Sequence, residues 1–296
     1  MNSSPAQSAA VDPSFATVAT GSLDLAMPSE ACLKVAVIQM VSAPDLDRNL
    51  RRAEALIEEA SSGGAQLVSL PEYFCLLGRR DTDKVGLREP WGKGPIQQFL
   101  VDVAKRYKIW LAGGTIPIQC QDPRRVRNSQ LMIDPLGQVR ARYDKIHLFG
   151  FQKGSERFNE SDTIEPGSSP VLCDIGQWRF GMSICYDLRF PELYRRLAPA
   201  DALLVPSAFT YTTGQAHWEI LLRARAIENQ CYVLAAAQGG EHPNGRRTWG
   251  HSMVIDPWGE VMAQQAEAEA VVLASLERER IAQVRGMLPA LAHRVL

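Results

Sequence analysis

Strand-like and helical stretches alternate along this chain from Leu33 almost to its end, and that order limits it to folds in which helices cover a sheet. Leu33–Gln39 is a short apolar run and reads as a buried strand. From Asp47 to Ser62, Leu50, Ala53, Ile57 and Ala60 fall on one helical face, and Gly63-Gly64 closes the stretch. Strand 66–70 completes a βαβ unit. A helix over about Pro95–Tyr107 carries its proline in the first turn, where a missing N–H is harmless. Strand 109–113 follows. Strands 128–134 and 138–143 are joined by Pro135-Leu136-Gly137, a turn signal that predicts antiparallel pairing. Residues 150–169 read as a long polar loop. A second alternating run has strands 171–174 and 178–184, helix 190–197, strand 202–206, helix 214–230 and strand 232–237. Late strands 253–255 and 271–275 lie around the turn Asp256-Pro257-Trp258-Gly259.

No repeat or linker divides this run, so residues 32–296 read as one α/β domain. Residues 1–31 are rich in Ala, Ser and Pro and hold no Lys or Arg, which fits neither a secretory signal nor an Arg-rich transit peptide. They read as a disordered tail, with Met27 as a candidate start. A formal net charge of −1 gives no basic excess for nucleic acid or an anionic membrane surface. No apolar run approaches the roughly 18 residues of a membrane span. The six cysteines show no Cys-x-x-Cys spacing and no paired pattern, which argues for a reducing, cytoplasmic setting and against a zinc site. The histidines are scattered, so no metal and no cofactor is expected.

Three strand patterns end on residues capable of chemistry. In Arg179-Phe-Gly-Met-Ser-Ile-Cys185-Tyr-Asp-Leu-Arg189, a buried strand runs into Cys185, then into a tight turn opening a helix, with Asp187 as a helix cap. A cysteine there is held on a sharp turn, and the backbone N–H of Tyr186 can face a developing oxyanion. The alternative is a small buried hydrophobe, the commoner fate of a cysteine. In Leu67-Val-Ser-Leu-Pro71-Glu72, proline ends the strand and leaves Glu72 at its carboxyl end, where open α/β sheets bind ligands. In Tyr143-Asp-Lys145-Ile-His147-Leu-Phe149, Lys145 sits inside an otherwise strand-like segment. The alternatives are a solvated loop carboxylate and an edge-strand lysine.

These segments, with His217-Trp-Glu-Ile-Leu-Leu-Arg-Ala-Arg-Ala-Ile-Glu-Asn229, resemble in sequence and in order the carbon–nitrogen hydrolase (nitrilase) family, over about Leu33 to Arg285. The resemblance implies a four-layer α-β-β-α sandwich, pairing of subunits into at least a homodimer, and a Glu-Lys-Cys triad of Glu72, Lys145 and Cys185. Glu72 would be the general base, and Lys145 with the Tyr186 N–H would hold the oxyanion. Sulfur would form a thioester that activated water hydrolyses, with ammonia released from a terminal carboxamide. Relatives place a second glutamate at Glu160 against the substrate amide nitrogen and use the Arg189 position for a substrate carboxylate. Phe209 and Thr213 match their pocket wall. Trp218, Arg223, Arg225 and Glu228 read as structural or interface residues rather than catalytic ones.

Cysteine–histidine chemistry with His147 as base is the rival within enzymes, and a silent binding scaffold is the rival outside them. The stretches Pro206–Trp218 and Ala235–His242 look most like the branch of the family that hydrolyses deaminated glutathione. The omega-amidase branch, acting on α-ketoglutaramate, is the alternative, followed by other amidases and N-carbamoyl hydrolases. The substrate expected is in every case a small-molecule amide.

Overall fold

The computed structural model describes residues 31–153 and 156–295. The tail reading therefore falls almost wholly outside the described residues. The first sheet runs in the order Ala270–Glu277, Cys32–Gln39, Leu67–Ser69, Trp110–Ala112 and Val126–Ile133. Val126–Ile133 then pairs with Val139–Asp144 on its far side, and with Ile116–Gln119 on the side it shares with Trp110–Ala112. The second sheet runs Val261–Gln265, Ser252–Ile255, Tyr232–Ala235, Ala202–Leu204, Trp178–Met182, Val171–Ile175. Each sheet has a parallel centre of three strands and antiparallel flanks.

Strand alternation sets the layers. Leu33, Val35, Val37 and Leu67 point one way and join Phe180, Met182, Leu204 and Leu234 of the second sheet in one core. Ala36, Ile38, Val68 and Leu70 point the other way, onto helices Leu46–Ser62 and Pro95–Tyr107 through Ala53, Leu56, Ile57, Ile96 and Leu100. On the outside of the second sheet lie helices Pro191–Leu197 and Tyr211–Asn229, which contribute Leu193, Leu197, Trp218 and Leu222. The result is the expected four-layer α-β-β-α sandwich.

Local chemistry places the ends. Asp45 caps the first helix by accepting the Arg48 N–H at 2.9 Å. Gly137 takes φ +77° in the Pro135-Leu136-Gly137 turn, as glycine readily does. Gly214 opens the long helix against Trp249, whose Cβ a methyl group there would approach to 2.2 Å.

Two sequence expectations give way. Residues 150–169 are not one loop, because Gly150–Lys153 and Glu156–Asn159 pair as a hairpin and Glu160–Asp162 forms a helical turn. Asp187 caps the helical turn Cys185–Arg189 and not helix Pro191–Leu197, whose start has no side-chain cap. It points back instead and accepts the N–H of Ile184 at 2.9 Å. A turn this tight puts its third residue beside its own start, so the carboxylate satisfies the first N–H of this turn rather than the following helix.

Candidate active site

The carboxyl ends of strands from both sheets meet at one point. Leu67–Ser69 delivers Glu72, Val139–Asp144 delivers Lys145, and Trp178–Met182 delivers Cys185. The three residues are 1%, 1% and 7% exposed, so each alternative that needed a solvated surface residue is removed. Lys145 follows the end of its strand rather than lying inside it. Tyr73 and Cys185 take φ +56° and +50°, a costly region for residues with a side chain. Thr115 Oγ1 holds the Tyr73 N–H at 3.0 Å, and Pro206 O holds the Cys185 N–H at 2.9 Å.

Lys145 Nζ donates to Glu72 Oε1 at 2.9 Å and lies 2.8 Å from Glu160 Oε2. Asn128 Nδ2 also donates to Glu72 Oε1, and the Ala208 N–H donates to Oε2, both at 3.0 Å. Glu160 accepts the Tyr73 hydroxyl at 2.8 Å and the Phe149 N–H at 2.7 Å. Glu72 and the Cys185 thiol are near enough that each alters the other's proton affinity.

Burial pushes the Glu72 carboxyl above the usual carboxylate range, a rise that the Lys145 charge only partly offsets. Burial also acts to raise Glu160, but there the Lys145 charge and its hydrogen bonds win, and it stays below that range. Burial works against the Lys145 ammonium, yet the negative charges of Glu160 and Glu72 outweigh it and hold the proton firmly. Burial, then the Glu72 charge, lifts the Cys185 thiol well above its ordinary value. At rest the sulfur is therefore a thiol, and two carboxylates around one ammonium have had their proton affinities driven apart. Such a split separates a proton-transfer group from a permanently ionised one.

A cavity of about 40 Å³ opens beside the thiol, walled among others by Glu72, Glu160, Arg189, Phe209 and Thr213. Arg189 lies with its guanidinium 5.3 Å from the Phe209 ring centre and contacts His217 Nδ1 at 3.1 Å. It forms no ion pair among the described residues, so neither Asp187 nor Glu192 uses up its charge. Tyr186 sits in the first turn after Cys185, where helical N–H groups lack intrahelical partners. His147 is directed elsewhere. Its Nδ1 lies 2.7 Å from Asp187 Oδ1, and its ring stacks on Phe190 at 3.7 Å. Arg225, 5% exposed, donates twice to the Leu188 carbonyl and braces the same turn.

Sequence reasoning missed Tyr73, Asn128 and the Ala208 N–H. For Asn128 a signal existed: Asn128-Ser129-Gln130 is a polar triplet running straight into apolar Leu131-Met132-Ile133, and all three of its residues are buried. Tyr73 and Ala208 act through a hydroxyl and a backbone group that nothing in their neighbours marks. Among the described residues, no group of three or more His, Cys, Asp or Glu side chains is placed to hold a metal ion. No helix there is long and apolar enough to cross a membrane.

The carbon-nitrogen hydrolase family profile matches residues 34–286. A deaminated glutathione amidase of Yersinia enterocolitica is 41% identical over 264 residues, covering 88% of this chain and 92% of that protein. One of Synechocystis is 42% identical over 266 residues, covering 88% and 97%. The crystal structure of Saccharomyces cerevisiae Nit3, a member of branch 10 of the nitrilase superfamily, superposes with a TM-score of 0.82 at 34% identity, over 90% of this chain and 97% of that one.

Proposed function

The chain belongs to the carbon-nitrogen hydrolase family, and from that premise we propose that it is a cysteine-dependent amidase whose substrate is deaminated glutathione. Its relatives of that name support the substrate. The observation that carries the mechanism is the buried group around Lys145, which touches both carboxylates, with Glu72 raised in proton affinity beside the Cys185 thiol and Glu160 held ionised.

Because the thiol is protonated at rest, its proton moves to Glu72 as sulfur attacks the amide carbon. The carbonyl oxygen becomes an oxyanion that Lys145 and the Tyr186 N–H stabilise. Glu160, ionised, accepts a hydrogen bond from the amide nitrogen. Glu72 then passes its proton to that nitrogen, the C–N bond breaks, and a thioester remains. Water attacks the thioester while giving a proton to Glu72, and the departing sulfur takes that proton back. For α-ketoglutaramate the leaving group is ammonia. For deaminated glutathione it is the amine of the Cys-Gly dipeptide. Arg189, with no carboxylate partner of its own, holds the carboxylate of the keto acid with its two-donor fork, while Phe209 and Thr213 shape the wall.

Two copies pair through the outer helix layer, a reading that exposed Ile220 and Ile227 support, seven residues apart on one face of helix Tyr211–Asn229. Six free cysteines fit a reducing cytoplasm.

The test is hydrolysis of deaminated glutathione and α-ketoglutaramate, following dipeptide and ammonia separately. We expect kcat/KM for the first to exceed the second by about tenfold or more. A preference for α-ketoglutaramate would point to an omega-amidase, and turnover of neither to another amide substrate or to a silent scaffold.

A further inference from the structure

The cleft does not end at the thiol. A second cavity of about 370 Å³, in the size range of ligand sites, adjoins the small one. The two share Tyr73, Phe149, Glu160, Ala208 and Thr210 as walls. Cys185, Arg189, Phe209 and Thr213 belong to the small cavity alone. The passage between them therefore runs past Glu160, the group set against the amide nitrogen. An acyl group held at Arg189 sends whatever is attached to that nitrogen into the larger space.

That space is lined by four cations and two carboxylates, Asp81 and Glu160. Arg80, Lys84, Arg246 and Arg247 all reach it. Three are already matched: Arg80 to Asp83 at 3.1 Å, Arg246 to Asp81 at 2.8 Å, and Arg247 to Glu267 at 3.2 Å. Lys84 is not. Among the described residues no carboxylate pairs with it. Its Nζ lies 3.3 Å from Thr163 Oγ1 and 5.3 Å from the centre of the Tyr73 ring. Burial draws its proton affinity below that of an ordinary lysine, despite the negative charges of Glu160 and Asp81. An ammonium withdrawn from water without a counter-ion is costly, and an incoming anion relieves the cost.

We propose that Lys84 recognises a carboxylate carried by the amine leaving group, making the larger cavity a leaving-group subsite distinct from the acyl subsite at Arg189. The ligand class is an N-substituted amide whose amine portion is a small peptide or amino acid with a free terminal carboxylate. A primary amide leaves this subsite empty. The inference rests on the amidase reading above and adds to it the residue that separates substituted from primary amides.

The test compares deaminated glutathione with its C-terminal carboxamide in wild type, Lys84→Met and Lys84→Arg. A charge-assisted contact of ordinary strength predicts that amidating the carboxylate lowers wild-type kcat/KM roughly 10- to 100-fold, mostly through KM. In Lys84→Met the two substrates should fall within about twofold of each other, and Lys84→Arg should restore part of the preference. Should Lys84→Met fail to fold, Lys84→Gln makes the same comparison. Hydrolysis of both substrates with the wild-type preference intact in the methionine or glutamine variant overturns the subsite alone. Hydrolysis of neither by wild type overturns the amidase reading and the subsite with it.

Discussion

The phenol of Tyr143 donates to Asp187 Oδ2 at 2.7 Å, joining a residue two positions before Lys145 to one two positions after Cys185. Tyr143 comes from the first sheet and Asp187 from the turn that leaves the second. The same carboxylate accepts the N–H groups of Ile184 and His147, each at 2.9 Å. One buried group thus fixes the distance between the segments carrying ammonium and thiol. Asp187→Ala strands several buried donors, each costing about 1–3 kcal/mol, and should lower Tm and kcat together. Tyr143→Phe removes only the cross-sheet bond. It should cost about 1 kcal/mol in a denaturant titration, with a larger proportional loss in kcat than in KM.

Cys185→Ala should abolish turnover by about 10³-fold or more while leaving the far-ultraviolet circular dichroism spectrum unchanged. Intact-protein mass spectrometry of wild type with a slow substrate should show an acyl adduct confined to Cys185. Substantial activity in the alanine variant would sink the thioester mechanism.

Lys145→Met leaves Glu72 and Glu160 facing each other in a buried site. The expected loss is about 3–5 kcal/mol at neutral pH, as for breaking other buried ion pairs. In the variant both carboxylates are raised above their unfolded values by burial and mutual repulsion. They then favour the folded state at low pH and oppose it as pH rises through their folded pKa values. The Tm difference from wild type should therefore shrink on acidification from pH 7 to 5. A pH-independent gap would show that packing, not charge, dominates the site.

Glu72 must be ionised to take the thiol proton, so the acid limb of kcat/KM should lie above the ordinary carboxylate value of about 4.3. The negative charge of Glu160 is one cause of that rise. Glu160→Gln removes it, makes Glu72 easier to ionise, and should move the limb to lower pH even as the rate itself falls. A limb that moves upward, or stays put, assigns the titration to another group.

Arg189→Lys keeps the charge and loses the planar fork. Hydrolysis of α-keto acid amides should fall far more than hydrolysis of a simple aliphatic amide, with kcat and KM both affected because orientation supplies part of the rate. Equal losses on both substrates would assign Arg189 to bracing the turn through Phe209 and His217.

Glu72 and Cys185 were legible because each ends an apolar run: Pro71 stops the strand before Glu72, and Cys185 follows a stretch of small and apolar side chains; Lys145 follows the charged strand Val139–Asp144 and was legible through the family motif around it. What periodicity left open was the stacking of two sheets. Their central strands are buried on both faces and show no alternation to say which face meets what. That came from the family resemblance. The segments overlooked are edges. Ile116–Gln119 contains Pro117, which an edge strand tolerates, and Val261–Gln265 is half exposed. Helix Arg278–Met287 buries only Ile281 and Val284, too little for a visible apolar face. The hairpin over residues 150–159 has too much polar character to stand out from a loop.

The Cys185 thiol belongs to one sheet, while Glu72 and the Lys145 ammonium belong to the other. Chemical competence is therefore a property of how the halves are docked, not of either half. A partly loosened state that kept every strand and helix but let the two sheets slide by the length of one hydrogen bond would be spectroscopically folded and chemically inert. Turnover is thus a finer gauge of native packing in this molecule than any measure of secondary structure.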